Sequence, residues 1–280
     1  MNTYRFRIVN VFAREGRLTG NPLAVIEDAR GLDADTMQAL ARQFNLSETT
    51  FILPSEKASA QVRIFTPAYE MPFAGHPTLG TAHVVRAMKG GDAVKLEMKA
   101  GVIPVSARGN RWTLEAVPPK ARAFEMHRRD LAAILGLEER DMAEYPLWVS
   151  AGREQLMVPV ASVDAVRRAK PRGDAFSQLK SAEGASMAYV FHDLGDAAGV
   201  VESRFFFPSG PAILEDPATG SACANLGGWF TVVRPRTDVK RIISQGEAVG
   251  RPSTLYLDVT GGTIHVGGEV VELGAGSLSL

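Results

Sequence analysis

The chain has few of the features that mark several large classes of protein. Its 280 residues contain one cysteine, Cys223, which excludes an intrachain disulfide and fits a reducing compartment. Lys and Arg number 31, as do Asp and Glu, so the zero formal net charge predicts no general attraction to nucleic acid or to an anionic membrane. No apolar stretch approaches the roughly 18–20 residues of a membrane helix, and the first residues alternate like a strand instead of forming a signal peptide. We therefore expect a cytoplasmic protein without nucleic-acid or membrane partners.

Sequence motifs of the common hydrolases and nucleotide-binding proteins are also missing. The chain contains no HExxH, GxSxG, Walker A or dinucleotide-type GxGxxG pattern. Its remaining histidines, His83, His127, His192 and His265, lack the spacing of metal ligands. The sequence therefore gives no support to a metal hydrolase, a serine hydrolase or a nucleotide-binding protein, and predicts no metal site.

The chain contains one sequence motif twice, which we call the repeated phrase. Both copies read R-x-F-x-P, a spacer, and then E-x-P-x-x-G; the first spans residues 63–75 and the second 204–220. A segment typical of a helix start follows each final glycine, Gly75 and Gly220. A duplication of this kind predicts two similar lobes whose helix starts point at one cleft.

Each helix start has two possible roles. The first turn of a helix presents unpaired N–H groups and a partial positive charge, so Gly75-His76 and Gly220-Ser221 are candidates to hold a carboxylate or phosphate. Alternatively, the glycines only make the turn into a buried helix. The many small residues of both helices indicate tight enclosure, which is a structural role.

The rest of the pattern predicts an α+β fold. Helices are expected over 34–44, from Gly75 to about 89 and from Gly220 to about 232, among many short strands. Pro118-Pro119 marks the predicted boundary between a first lobe, 1–117, and a second, 118–280, and leaves open whether the last strand returns to the first lobe. A hairpin turn is predicted at Gly267-Gly268. We expect two pseudo-repeated lobes, each a mostly antiparallel, barrel-like sheet around a central helix, without the βαβ rhythm of a parallel sheet.

Two carboxylates stand out. Glu48 lies at the junction between a predicted amphipathic helix and a predicted apolar strand. Burial at such a junction could raise its pKa into the range of general acid–base catalysis. A surface salt bridge or cap is the alternative for Glu48. Asp216 lies four residues before Gly220 and is a candidate to orient a substrate group or to cap the loop.

Several ordered motifs together resemble the PhzF-like isomerase family of phenazine biosynthesis. They are N-P-L-A-V at 21–25, the segment 45–51, F-A-G-H-P-T-L-G at 73–80, E-D-P-A-T-G-S-A at 215–222, and Q-G…G-R-P-S at 245–253. That family is similar to diaminopimelate epimerase in fold. The resemblance implies an active site between the lobes, no cofactor and, by analogy, a homodimer.

The same resemblance implies roles for individual residues. Glu48 matches the family's acid/base glutamate, and His76 and Asp216 match positions that hold polar groups near the reacting carbon. Gly220 and Ser221 match the carboxylate-binding helix start, and we also expect Gly75 and Thr219 to bind substrate. The related epimerases use two opposed cysteines, a mechanism that a chain with Cys223 alone cannot perform.

These considerations predict an isomerase that moves a proton and a double bond in a small carboxylate-bearing molecule. Two alternatives stay open at this point. One is a racemase or epimerase of an amino-acid-like substrate that pairs Glu48 with a second, non-thiol group. The other is a catalytically idle binding protein on the same fold.

Overall fold

The computed structural model describes residues 2–143, 145–234 and 238–280. The chain divides into two compact units. The first unit extends to Glu115 and also includes Gly267–Leu280, and the second unit is Ala116–Val266. The chain thus leaves the first unit just before the boundary expected from Pro118-Pro119, and its last strand returns to the first unit.

The first unit is a sheet that closes on itself. Its strands are β1 (Thr3–Val11), β2 (Asn21–Ile26), β3 (Glu48–Leu53), β4 (Ala60–Phe65), β5 (Glu70–Met71), β6 (Ala93–Met98), β7 (Gly101–Arg108), β8 (Arg111–Glu115) and the part of β17 (Thr263–Ser279) after Val266. The order around the sheet is β17, β1, β2, β3, β4, β6, β7, β8, and β8 pairs again with β17. This unit is the barrel that the sequence predicts.

Two helices pack on this barrel. The helix α2 (Gly75–Lys89) contacts strands all around the ring, and its residues from His76 to Ala82 are buried. Gly80 permits that close fit, because a Cβ there would lie 2.6 Å from the Leu23 side chain. The helix α1 (Ala34–Phe44) covers β3 and β4, as predicted: the Asp33 side chain accepts a hydrogen bond from the Thr36 amide at its start.

The second unit repeats the design. Its strands are β9 (Lys120–Ala123), β10 (Leu147–Ser150), β11 (Glu154–Pro159), β12 (Ala188–Asp193), β13 (Val200–Ser209), β14 (Ala212–Asp216), β15 (Val239–Gln245), β16 (Ser253–Thr260) and the start of β17. They pair in the order β9, β10, β11, β12, β13, β15, β16, β17, and the Ala116 amide donates to the Ile264 carbonyl. The sheet again wraps around one helix.

That helix is α6 (Gly220–Val233), which contacts β9, β10, β11, β15 and β16. Gly227 and Gly228 face Leu257, Ile264, Pro119 and Val149, where a Cβ would meet atoms at 2.6–3.3 Å. The small residues of both central helices therefore permit the tight enclosure that the sequence indicates. The described residues of the second unit also form the short helices α3 (Arg128–Ile134), α4 (Val163–Arg168) and α5 (Gly173–Phe176).

One expectation about the sheets is corrected. Gly267 and Gly268 lie inside β17 and make no turn; the chain reverses at Gly261-Gly262. Glycine is needed at 267 because a Cβ would approach the side chain of Thr113 to 2.7 Å, and at 268 because it would overlap the ring of Phe12. The barrels are mostly antiparallel, as predicted. The described residues also form parallel pairs, β2–β3 and β4–β6 in the first barrel and β11–β12 and β13–β15 in the second, which are joined through helical connections.

Candidate active site

Glu48 and His76 meet in the first unit. The His76 Nδ1 atom lies 3.1 Å from the Glu48 Oε2 atom, with side chains 6% and 17% exposed. Glu48 opens β3, opposite Leu23 of β2, and His76 is the second residue of α2. The structure thus brings two of the predicted residues into direct contact and encloses both in protein.

The second ring nitrogen of His76, Nε2, has no hydrogen-bond partner among the described residues. Among the described residues of the first unit, His76 Nε2 and Thr49 Oγ1 are the buried side-chain polar atoms without a hydrogen bond. A buried polar atom without a partner is costly unless a ligand or water satisfies it. With Nδ1 facing the carboxylate, Nε2 is the atom of His76 that remains for a ligand.

In the second unit, Asp216 and Thr219 form a small network at the start of α6. The Thr219 hydroxyl donates to Asp216 Oδ2 at 2.6 Å, and the Gln245 side chain donates to that hydroxyl at 3.0 Å and to the Asp216 carbonyl at 2.8 Å. Gln245 also accepts from the Thr219 amide at 3.3 Å. These bonds fix the loop that leads into the helix.

Ser221 lies in the first turn of α6 and is half-buried. Its Oγ atom accepts a hydrogen bond from Gln155 Nε2 at 2.8 Å. The helix start at Gly220 has no side-chain cap from Thr219, whose hydroxyl is turned to Asp216. In the first unit, Gly75 opens α2, and the preceding Ala74 likewise supplies no side-chain cap.

The repeated phrase itself is largely structural. Its arginine and glutamate form an ion pair in each copy, Arg63–Glu70 at 2.8 Å and Arg204–Glu215 at 2.6 Å. Both arginines lie over the phenylalanine of their own copy, at 5.1 and 4.8 Å from the ring centroid. The phrase thus builds the hairpin that leads to each helix start.

The phrase also aligns the two units residue by residue. Its arginine pairs across the sheet with Phe51 in the first unit and with Val190 in the second. Glu48 lies three residues before Phe51, and Met187 lies three residues before Val190. The second unit therefore has a buried methionine at the repeat position of Glu48.

The reverse holds at the other carboxylate. Asp216 directly follows the glutamate of the second copy, and Met71 directly follows that of the first. Each unit thus contributes one of the two candidate carboxylates, at a different position of the repeat.

Cys223 is fully buried in α6, and this burial raises the pKa of its thiol. A thiol in this setting is poorly suited to act as an acid or base near neutral pH. In the described parts of the chain, no group of three or more His, Cys, Asp or Glu side chains is arranged to hold a metal ion. No helix among residues 2–143, 145–234 and 238–280 is long and apolar enough to cross a membrane.

Sequence reasoning gave no role to three buried amides of the second unit. Gln155, Asn225 and Gln245 are each 1% exposed or less and hydrogen-bond to the predicted site residues or to each other. Gln245 lies in one of the motifs that carry the family resemblance, and this motif could have indicated its role. No sequence motif indicates a role for Gln155 or Asn225, because their contacts depend on strand register.

The family model for phenazine biosynthesis-like proteins, PhzC–PhzF, matches residues 9–275. The chain belongs to this family. A curated relative from Pasteurella multocida, named an uncharacterized isomerase, is 36% identical over 99% of this chain and 95% of its own length. The trans-2,3-dihydro-3-hydroxyanthranilate isomerase of Pseudomonas aeruginosa is 34% identical over 92% of this chain and 91% of its own length. These relatives confirm the prediction that this PhzF-like chain is an isomerase.

Solved structures agree with the predicted fold class. The PhzF-family protein of Bacillus anthracis has a TM-score of 0.87 and 25% identity, and the alignment covers 100% of both chains. A hydroxyproline epimerase from Agrobacterium vitis has a TM-score of 0.62 at 14% identity over 99% of this chain and 93% of its own. The latter likeness concerns the fold alone and is consistent with the predicted epimerase-like architecture.

Proposed function

We propose that this PhzF-like protein moves a proton, and with it a double bond, between two carbons of a small carboxylate-bearing molecule, with Glu48 as the acid/base. The observation that carries the proposal is the contact of Glu48 with His76, 3.1 Å at the start of a buried helix. Ionised Glu48 removes a proton from one carbon, the double bond shifts, and protonated Glu48 returns the proton to the other carbon. The protons and electrons of this cycle balance without a cofactor.

His76 keeps one tautomer through this cycle. Its Nδ1 atom carries the hydrogen and donates to Glu48 Oε2, both while Glu48 is ionised and after its other carboxylate oxygen has taken the substrate proton. The second ring nitrogen, Nε2, accepts a hydrogen bond from a polar substituent of the substrate. His76 thereby orients Glu48 and positions the substrate.

Residues of the second unit bind the substrate in this proposal. Asp216 orients a polar substituent, and the helix start at Thr219, Gly220 and Ser221 holds the carboxylate through N–H groups and a hydroxyl. Gly75 gives the substrate close access to the start of α2. The shared cleft for both sets of residues stays a prediction of the sequence.

A non-thiol racemase is the alternative with a different outcome. A racemase that works from two faces needs a second proton carrier, and the repeat position of Glu48 in the second unit is Met187. This asymmetry favours a single base.

Incubation in D₂O tests the function. Candidate substrates are trans-2,3-dihydro-3-hydroxyanthranilate, on which the relatives' name is based, and other small unsaturated carboxylates. We expect an isomeric product in which NMR locates deuterium at the carbon that gained the proton. Deuterium at the original carbon with inversion would instead show a racemase. Neither an isomeric product nor deuterium incorporation with any compound of the panel would support the idle binding protein.

A further inference from the structure

Gln155 and Asn225 form a buried chain of hydrogen bonds that ends on Ser221. Asn225 Nδ2 lies 2.8 Å from Gln155 Oε1, and Gln155 Nε2 lies 2.8 Å from Ser221 Oγ. Gln155 is 1% exposed and Asn225 is fully buried. No titratable group of this chain of contacts sets its direction, so the direction must come from the backbone.

Two main-chain groups determine it. The Ala151 amide can only donate, and it donates to Asn225 Oδ1 at 2.6 Å. The Arg153 carbonyl can only accept, and it accepts from Asn225 Nδ2 at 2.9 Å. Asn225 must therefore present its NH₂ group to Gln155, which in turn presents its own NH₂ group to Ser221.

The consequence falls on the Ser221 hydroxyl. The Ser221 oxygen accepts a hydrogen bond from the Gln155 NH₂ group. Because that NH₂ group cannot accept a hydrogen bond, the Ser221 hydroxyl hydrogen must point elsewhere. Within the described residues, Gln155 is the one hydrogen-bond partner of Ser221 Oγ. The hydroxyl is thus held as a donor for a group outside the protein.

The first unit shows that the barrel does not need this polar chain. Asn225 lies five residues after Gly220, and the matching position after Gly75 is Gly80. Gly80 packs against Leu23, which by strand register is the counterpart of Gln155. In the first unit, an apolar contact thus takes the place of the buried Gln155–Asn225 pair. Buried polar groups seldom stabilise a fold more than apolar packing of the same volume.

We propose that Gln155, oriented by Asn225, is a positioning residue that commits Ser221 to donate a hydrogen bond to a carboxylate oxygen of the substrate. The inference rests on the proposed role of Ser221 in substrate binding. It adds a preference: a substituent that accepts hydrogen bonds gains the Ser221 hydroxyl as a donor here.

Two matched ligands isolate the carboxylate contact. The first is 3-hydroxyanthranilate, an aromatic acid with the substituents of the relatives' named substrate and no ring proton to shift. The second is 2-aminophenol, the same ring without the carboxylate. The ratio of their dissociation constants, measured by calorimetry, reports the carboxylate contact, because effects common to the whole site cancel.

The Gln155→Glu variant reverses the hydrogen bond at nearly constant volume. Its carboxylate accepts from Ser221, so the hydroxyl no longer points to the ligand. We expect the affinity ratio to fall by about tenfold or more, the size of one hydrogen bond to a charged group. Lowering the pH to protonate the introduced carboxylate restores a donor at this position and should recover the ratio. Gln155→Met removes the hydrogen bond that orients the Ser221 hydroxyl without adding an acceptor, and should cause a smaller fall in the affinity ratio.

Coupling to Ser221 separates positioning from general packing. In a Ser221→Ala background, Gln155→Met should have no further effect on the ratio. Ser203→Ala, which removes another buried hydroxyl of the second unit, is the control and should leave the ratio unchanged. A Gln155→Glu variant with the wild-type ratio, or additive effects of the two substitutions, would overturn the inference while leaving the role of Glu48 intact. Wild-type protein that binds both ligands equally, or neither, would count against the carboxylate site in both proposals.

Discussion

Glu48 and Met187 occupy the same position of the internal repeat, and only Glu48 can carry a proton. The second candidate carboxylate shows the reverse replacement, since Asp216 in the second unit occupies the repeat position of Met71 in the first. Duplication has therefore kept the barrels and their helix starts similar while the two units no longer hold equivalent acid/base groups. This asymmetry fits a reaction in which one carboxylate both removes and returns the proton.

The two nitrogens of His76 can be tested separately. An asparagine amide can reach the place of Nδ1 beside Glu48, whereas a glutamine amide reaches the place of Nε2. We expect both His76→Asn and His76→Gln to lower kcat by about tenfold or more, the size of one lost hydrogen bond to a charged group. Since each variant retains only one of the two hydrogen-bonding positions of the imidazole, neither should approach wild-type turnover. Steady-state kinetics with a circular dichroism check of folding measures this, and near-normal kcat in His76→Asn would show that Nε2 has no role.

Gly246 supports the loop that carries Asp216 and Thr219. Its φ is +83°, and a Cβ would overlap the Arg251 carbonyl oxygen and lie 2.5 Å from that of Pro217. We expect Gly246→Ala to weaken substrate binding and lower the melting temperature. Gly250→Ala is a matched control, because Gly250 has a φ of +67° with no atom within 4 Å of a Cβ. Equal effects of the two substitutions would mean that backbone conformation, and not the collision, is decisive.

The two ion pairs of the repeated phrase differ in burial. Arg204 and Glu215 are 16% and 6% exposed, and Arg204 also donates to the Arg167 and Ala169 carbonyls. We expect Arg204→Met to reduce the free energy of unfolding by about 3–5 kcal/mol, because it leaves a buried carboxylate without its partner. Arg63→Met should cost less. Urea denaturation of both variants gives the comparison, and an equal or larger loss for Arg63→Met would contradict it.

The smaller loss for Arg63→Met has a direct cause. Glu70, the partner of Arg63, also binds Lys99 at 2.7 Å and therefore keeps a cation in that variant.

Glu70 also gives a pH dependence. The hydrogen bond from Arg63, with that from Lys99, lowers the pKa of Glu70 below its usual range. A lowered folded-state pKa contributes stability above the unfolded-state value of about 4.3, and this contribution is lost as the pH falls through the folded-state value. The difference in unfolding free energy between wild type and Glu70→Gln should therefore shrink on acidification from neutral pH. A difference that is constant or grows toward acid would have the wrong sign.

Much of this architecture could be read from the residues. The Asp33 cap and the apolar spacing define α1, and the glycine of each repeated phrase marks the start of α2 or α6. The same pattern placed Glu48 beside an apolar strand. What joined Glu48 to His76 was the resemblance to a family, because contact between residues far apart in sequence depends on strand order.

The errors and omissions have the same physical origin. Gly267 and Gly268 suggested a turn, yet they serve a close approach of β17 to Trp112, Thr113 and Phe12 that only the packed barrel reveals. Gln155 reads as an ordinary polar residue at a strand start until register brings it to Ser221. Local sequence carries propensity and caps, whereas register and packing between distant strands decide these contacts.

The replacement of Glu48 by Gln tests the central claim most directly. Glutamine keeps the size of the side chain and a hydrogen bond to His76 but cannot take a proton from carbon. We predict that Glu48→Gln folds and binds a carboxylate ligand as wild type does, while incorporation of solvent deuterium into substrate is lost. Undiminished incorporation of deuterium by this variant would contradict the account.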